Sequence, residues 1–126
     1  MIDYDNSTFK EIWEYEFEEG LEERKIGNRH KWNLTGKFIN ESGNVIYYTR
    51  EGEYHREDGP SFIYRTAVSS CTWHNNGKEH RIDGPAIYFF DDKNKRKQFW
   101  IFGNPVSESD FLIFSNLGNG NEVILL

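Results

Sequence analysis

The chain of 126 residues has one cysteine, one methionine and three prolines. A lone Cys71 excludes an internal disulfide. In the hydroxyl-rich stretch Val68-Ser-Ser-Cys71-Thr-Trp73 it is expected as a packed strand residue rather than a reactive thiol. Phosphate-binding and dinucleotide-binding glycine signatures, a CxxC pair and a G-x-S-x-G elbow are all missing, which removes the common routes to nucleotide, redox and acyl-transfer chemistry. A His-x-x-Asp spacing does occur, yet no Ser or Cys recurs beside it to complete a triad. We therefore expect neither enzymatic activity nor a cofactor. No basic-then-apolar leader and no long apolar run appear, so a cytoplasmic setting without membrane contact is expected.

What is present is aromatic and charged. Hydrophobic residues make up 37%, aromatics 17% and charged residues 29% of the chain, enough for the core of one domain. Phe, Tyr and Trp outweigh the residues of a helical bundle and favour a mainly β fold. The net charge is -6, but it is unevenly spread. Residues 1–23 hold nine acids against Lys10 alone, leaving the remainder slightly basic. Such a segment repels phosphates, so direct DNA binding is not expected despite the basic Lys93-Asn-Lys-Arg-Lys97 run. It could instead attract a basic surface on another protein.

The strongest pattern is a repeat. Gly27-Asn-Arg-His30-Lys31, Gly52-Glu-Tyr-His55-Arg56 and Gly77-Lys-Glu-His80-Arg81 each follow the last by 25 residues. The second and third copies continue into Asp58-Gly59-Pro60 and Asp83-Gly84-Pro85, and Gly103-Asn-Pro105 opens a truncated fourth. A period of this size marks stacked supersecondary units that share one core. Gly, Asn and Asp at the junctions supply turns, and apolar runs such as Ser61-Phe-Ile-Tyr64 and Ala86-Ile-Tyr-Phe-Phe90 supply strands. The expected architecture is a single domain over 1–126: an acidic N-terminal cap (1–26), three and a fraction hairpin repeats (27–106) and a C-terminal cap (107–126).

Both caps can be read for local structure. Thr8-Phe-Lys-Glu11 has capping-box spacing, with Phe9, Ile12, Trp13 and Phe17 on one helical face. Trp13-Glu-Tyr15-Glu-Phe17-Glu alternates at period two, and residues 12–18 are assigned on that basis to an edge strand with its acids on the open side. Ser107 and Asp110 predict the start of a short C-terminal capping helix.

The run Trp73-His-Asn-Asn-Gly77-Lys-Glu-His80-Arg-Ile-Asp83-Gly-Pro-Ala86 resembles the W-x-x-N-G-K-x-H-R-x-D-G-P-A repeats of small phage and large-virus proteins, a variant of the MORN repeat. The likeness spans roughly residues 27–106. It implies a stacked, antiparallel β-hairpin (MORN-like) meander sheet that serves as a binding scaffold without catalysis. It further implies a phage-encoded protein that binds and blocks a host defence protein, in the manner of an anti-CRISPR. A nucleotide-signal sponge and a structural phage component are the alternatives, and exposed strand edges make a homodimer an option for each.

Candidate partner-binding residues are the acids Glu14, Glu16, Glu18 and Glu19, masking a basic nucleic-acid-binding cleft of the host protein, together with Tyr48, Trp73 and Trp100 on a sheet with too few elements to cover both faces. A shared metal site is excluded by geometry, because repeats two strands thick set equivalent histidines about 10 Å apart. His55 and His80 are expected to bond their neighbouring turns, with Asp58 and Asp83 as partners. A ladder of His55, Arg56, His80 and Arg81 that binds anions is the second reading.

Overall fold

Thr8 and Glu11 cap each other: the Thr8 N–H donates to Glu11 Oε1 at 2.9 Å and the Glu11 N–H to Thr8 Oγ1 at 3.1 Å. This reciprocal cap starts helix α1, Phe9–Glu18, which corrects the edge strand expected over 12–18. Helical spacing wins because it puts Phe9, Ile12, Trp13, Glu16 and Phe17 on one stripe facing the sheet. A strand would have turned Glu16 outward.

The computed structural model describes residues 2–18, 36–48, 52–65, 68–90 and 95–118, with backbone alone for 18, 48 and 116–118. The first repeat copy, with His30, and Glu19 lie outside the described residues. The fold is mainly β. Strands β1 (Gly36–Ile39), β2 (Val45–Tyr48), β3 (Phe62–Tyr64) and β4 (Ser69–Thr72) are followed by a small hairpin of β5 (His74–Asn75) and β6 (Lys78–Glu79). Then come β7 (Ile87–Phe90), β8 (Lys95–Ile101), β9 (Asn104–Val106) and helix α2 (Glu108–Gly118). Among the described residues seven strands form one antiparallel meander in the order β1-β2-β3-β4-β7-β8-β9, and β5-β6 stands apart from it.

Register decides which residues meet the helices. Ile39 lies opposite Val45, Val45 opposite Ile63, Ile63 opposite Cys71 and Cys71 opposite Tyr88, one apolar row across five strands. These residues are buried together with Tyr4, Ile12 and Trp73. Cys71 is thus a packed strand residue, and burial pushes its thiol pKa far up. On the same side, Phe111 of α2 meets Phe99 of β8 at 4.6 Å between ring centroids. The predicted cap holds, with the Asp110 N–H donating to Ser107 Oγ at 3.1 Å. No helix among the described residues is long and apolar enough to cross a membrane.

The repeats join through two-residue turns whose central residues both have positive φ, Asn76 (47°) with Gly77 (85°) and Phe102 (45°) with Gly103 (81°). This is type I′ geometry, suited to the twist of a hairpin. Phe is an unusual occupant of the left-handed region. Stacking holds Phe102 there, with its ring 3.9 Å from that of His80.

Candidate functional site

The repeated His-Arg-x-Asp-Gly-Pro run folds into the same device twice. In one copy Arg56 Nε donates to Asp58 Oδ1 at 2.9 Å and Nη1 to the Pro60 carbonyl at 3.1 Å. In the next, Arg81 Nε donates to Asp83 Oδ1 at 2.8 Å and Nη1 to the Pro85 carbonyl at 3.1 Å. Each guanidinium also covers an aromatic ring, Tyr47 at 4.1 Å and Trp73 at 4.2 Å. The arginine bends back over its own loop, and the remaining N–H groups point toward the N-terminal segment.

That segment supplies an acid to each. Glu16 Oε1 accepts from Arg56 Nη1 at 2.9 Å, and Asp5 accepts from Arg81 Nη1 and Nη2, both at 2.8 Å. Around Glu16 the hydroxyls of Tyr4 and Tyr47 donate to the carboxylate and Lys37 Nζ stands 3.7 Å away. Around Asp5 the Tyr88 hydroxyl donates, and Lys95 Nζ reaches the carbonyls of Tyr4, Asp5 and Ser7 at 3.2, 2.6 and 3.3 Å. Burial acts to raise the Asp5 pKa, but the hydrogen bonds from Arg81 and Tyr88 outweigh it and hold the carboxyl below its usual range. The Arg56 hydrogen bond likewise lowers the Asp58 pKa.

This arrangement redistributes the expected site residues. Glu16 is 1% exposed and neutralised internally, so it is not a surface contact for a partner. Glu14 remains on the surface, 3.9 Å from Lys10 one helical turn earlier. The side chains of Glu18 and Tyr48, and all of Glu19, lie outside the described residues. Trp73, expected on an exposed platform, is buried beneath Arg81 with its ring edge-on to Tyr4. Arg56 and Arg81 are largely buried and paired, so they form no free anion-binding ladder. Asp5, Tyr4 and Lys95 were not singled out from the sequence; the Arg-x-Asp spacing shows one acid per arginine and gives no hint of a second.

The histidines are also corrected. His55 Nδ1 accepts the Asn76 N–H at 3.1 Å and His80 Nδ1 accepts the Phe102 N–H at 2.9 Å. Each therefore bonds the turn of the following copy, while Asp58 and Asp83 belong to the arginines. The turn is fixed by a second bond as well, from Gly77 N–H to the Tyr54 carbonyl and from Gly103 N–H to the Glu79 carbonyl, both at 2.8 Å.

The fourth histidine, His74, is buried beside Ser61, with Nδ1 2.6 Å from Oγ. Ser61 Oγ also lies 3.1 Å from the Thr72 carbonyl, so its hydroxyl joins the imidazole to the backbone of β4. Burial pushes the His74 pKa down to about 4, and that of His80 moves the same way for the same reason. An unfolded chain takes up these protons near pH 6.5 while the folded one does not, so stability at neutral pH is lost as pH falls from 6.5 toward 4. The His74 share amounts to about 3 kcal/mol. Urea unfolding at pH 7 and pH 4.5 should show this drop, and His74→Gln should flatten it; an unchanged slope in the variant would refute the assignment.

On the sheet face away from the helices, Phe62 and Tyr64 of β3, Ser70 and Thr72 of β4, Ile87 of β7 and Trp100 of β8 line a shallow groove of 440 Å³, to which Tyr54, His74 and Glu79 also contribute. Short hydroxyl side chains form its floor and aromatic rings its walls. Tyr64 is 37% exposed and Trp100 half-buried. Among the described residues, no group of three or more His, Cys, Asp or Glu side chains is placed to hold a metal ion. In comparisons with known proteins, the chain matches no family model, and no curated protein or solved structure is significantly similar to it.

Proposed function

We propose that the chain is a non-catalytic protein-binding module built from MORN-like hairpin repeats, and that its working surface is the aromatic groove on the sheet face away from the helices. The carrying observation is the convergence of Phe62, Tyr64 and Trp100 around the Ser70 and Thr72 floor, opposite the face occupied by α1 and α2. Aromatic side chains flanking short polar ones suit an extended segment of a partner, which gains ring contacts and finds hydroxyls for its backbone. In the setting that the repeat resemblance implies, the partner is a host defence protein and the chain is its phage-encoded inhibitor. Masking of a basic site by the acidic segment is not the favoured route, because Glu16 and Asp5 are used inside the molecule. The same pairing disfavours a nucleotide sponge built on Arg56 and Arg81.

A photo-crosslinking side chain at Tyr64 or Trp100 should capture one and the same host protein. The same probe at Tyr15, exposed on α1, should not. The variant Tyr64→Ser/Trp100→Ala should lose that partner while its unfolding midpoint stays near that of the parent chain. Equal capture at Tyr15, or undiminished binding by the double variant, would remove the groove from consideration.

A further inference from the structure

Two equivalent arginines are satisfied by acids from unlike backbone settings. Asp5 lies in a turn before α1, whereas Glu16 lies inside α1, yet their carboxylates stand 2.8 and 2.9 Å from the corresponding Nη1 atoms. The two arginines thus meet the same chemical group on two different backbones. The two sites differ in access: Glu16 is 1% exposed, but the Asp5 side chain is 40% exposed over an Arg81 that is 9% exposed.

We propose that the Arg81 cradle is a carboxylate-binding site for an acidic peptide segment of a partner protein, and that residues 3–7 occupy it as a resident ligand. The manner of attachment carries this. Residues 3–7 add no strand to the sheet; they form a turn organised from within by Asp3, whose carboxylate accepts the N–H groups of Asp5 and Asn6 and the Asn6 amide. The repeats hold that turn by side-chain arms: both Asp5 oxygens on Arg81, the Tyr88 hydroxyl on Asp5, and Lys95 on the carbonyls of Tyr4, Asp5 and Ser7. Such a set of donors would hold any short segment that presents one carboxylate beside free backbone carbonyls. Asp83 accepts from Nε and so holds the Arg81 plane with its Nη atoms toward Asp5. This site lies on the helix side of the sheet, separate from the aromatic groove, and either assignment can fail alone.

Asp5→Ala removes the resident carboxylate in the full chain. In sodium chloride the variant should melt below the parent chain, and sodium acetate at equal ionic strength should restore the melting temperature saturably. The peptide Ile2–Thr8 should restore it at concentrations at least about tenfold lower than acetate, because on displacing the resident turn, which Asp5→Ala has loosened from Arg81, it brings carbonyls for Lys95 as well as a carboxylate. The same peptide with Asp5→Asn should be inert. Addition of Arg81→Gln to the variant should abolish every recovery. If Asp5→Ala is unfolded in chloride, return of the folded-state tryptophan emission on adding acetate gives the same reading. Acetate acting no better than chloride would overturn the site, and phosphate acting as well as acetate would overturn its assignment to carboxylates. A peptide that works equally well with Asn would remove the acidic partner.

Discussion

Glu16→Ala is expected to destabilise the fold by about 3–5 kcal/mol, a large fraction of the stability of a domain of this size. The carboxylate is 1% exposed and receives Arg56, Tyr4 and Tyr47, with Lys37 close by. Removing it leaves a guanidinium and an ammonium inside the molecule and two phenols without their acceptor, so the penalty of uncompensated burial dominates. Glu14→Ala on the same helix should change stability by less than about 0.5 kcal/mol, because its pair with Lys10 is exposed. Urea unfolding of the two variants reads this directly. Comparable midpoints would mean that the Glu16 network contributes little.

The second large effect is expected at a glycine. A Cβ on Gly84 would lie 2.7 Å from Arg81 Cζ and 2.8 Å from Nη1, and one on Gly59 would lie 2.8 Å from Arg56 Cζ. An arginine head could ordinarily move aside, but this one is fixed by Asp83, Pro85, Asp5 and the Trp73 ring. Gly84→Ala therefore ejects the guanidinium and should cost about 3 kcal/mol, close to the cost of Arg81→Ala. The φ of Gly84 lies outside the left-handed region, so alanine adds no backbone strain of its own. In an Arg81→Ala background the same Gly84→Ala change should cost less than about 0.5 kcal/mol. The double-mutant cycle thus predicts a coupling of about 2–3 kcal/mol. Additive effects would show that the glycine serves the turn and not the arginine.

The legible part of this fold was its period. Equivalent copies at 25 residues carry equivalent bonds, as the paired contacts of Arg56 with Arg81 and His55 with His80 show. The illegible part was long-range. Residues 8–18 carry both a helical and a strand pattern, and the choice rests on Glu16 finding Lys37, Tyr47 and Arg56, 21 to 40 positions away. No local spacing encodes those meetings. Trp73 was misplaced for the same reason: it is covered by Tyr4, whose position depends on the N-terminal segment lying over that side of the sheet. Gly59 and Gly84 were legible as turn residues, yet their chemical reason is the arginine passing over them. The groove around Tyr64 and Trp100 followed in outline from a sheet with too few helices, and its polar floor at Ser70 and Thr72 did not.

Because each cradle borrows its second counterion from a segment that precedes the array, the number of modules and the supply of anions are tied. An extra copy spliced in after Pro85 would inherit the histidine staple to its successor and the aspartate of its own loop. Its guanidinium would still arrive with Nη hydrogens that have no acceptor. Array length is therefore measured by the segment that comes before it, and lengthening the protein requires a new acid upstream as well as a new module.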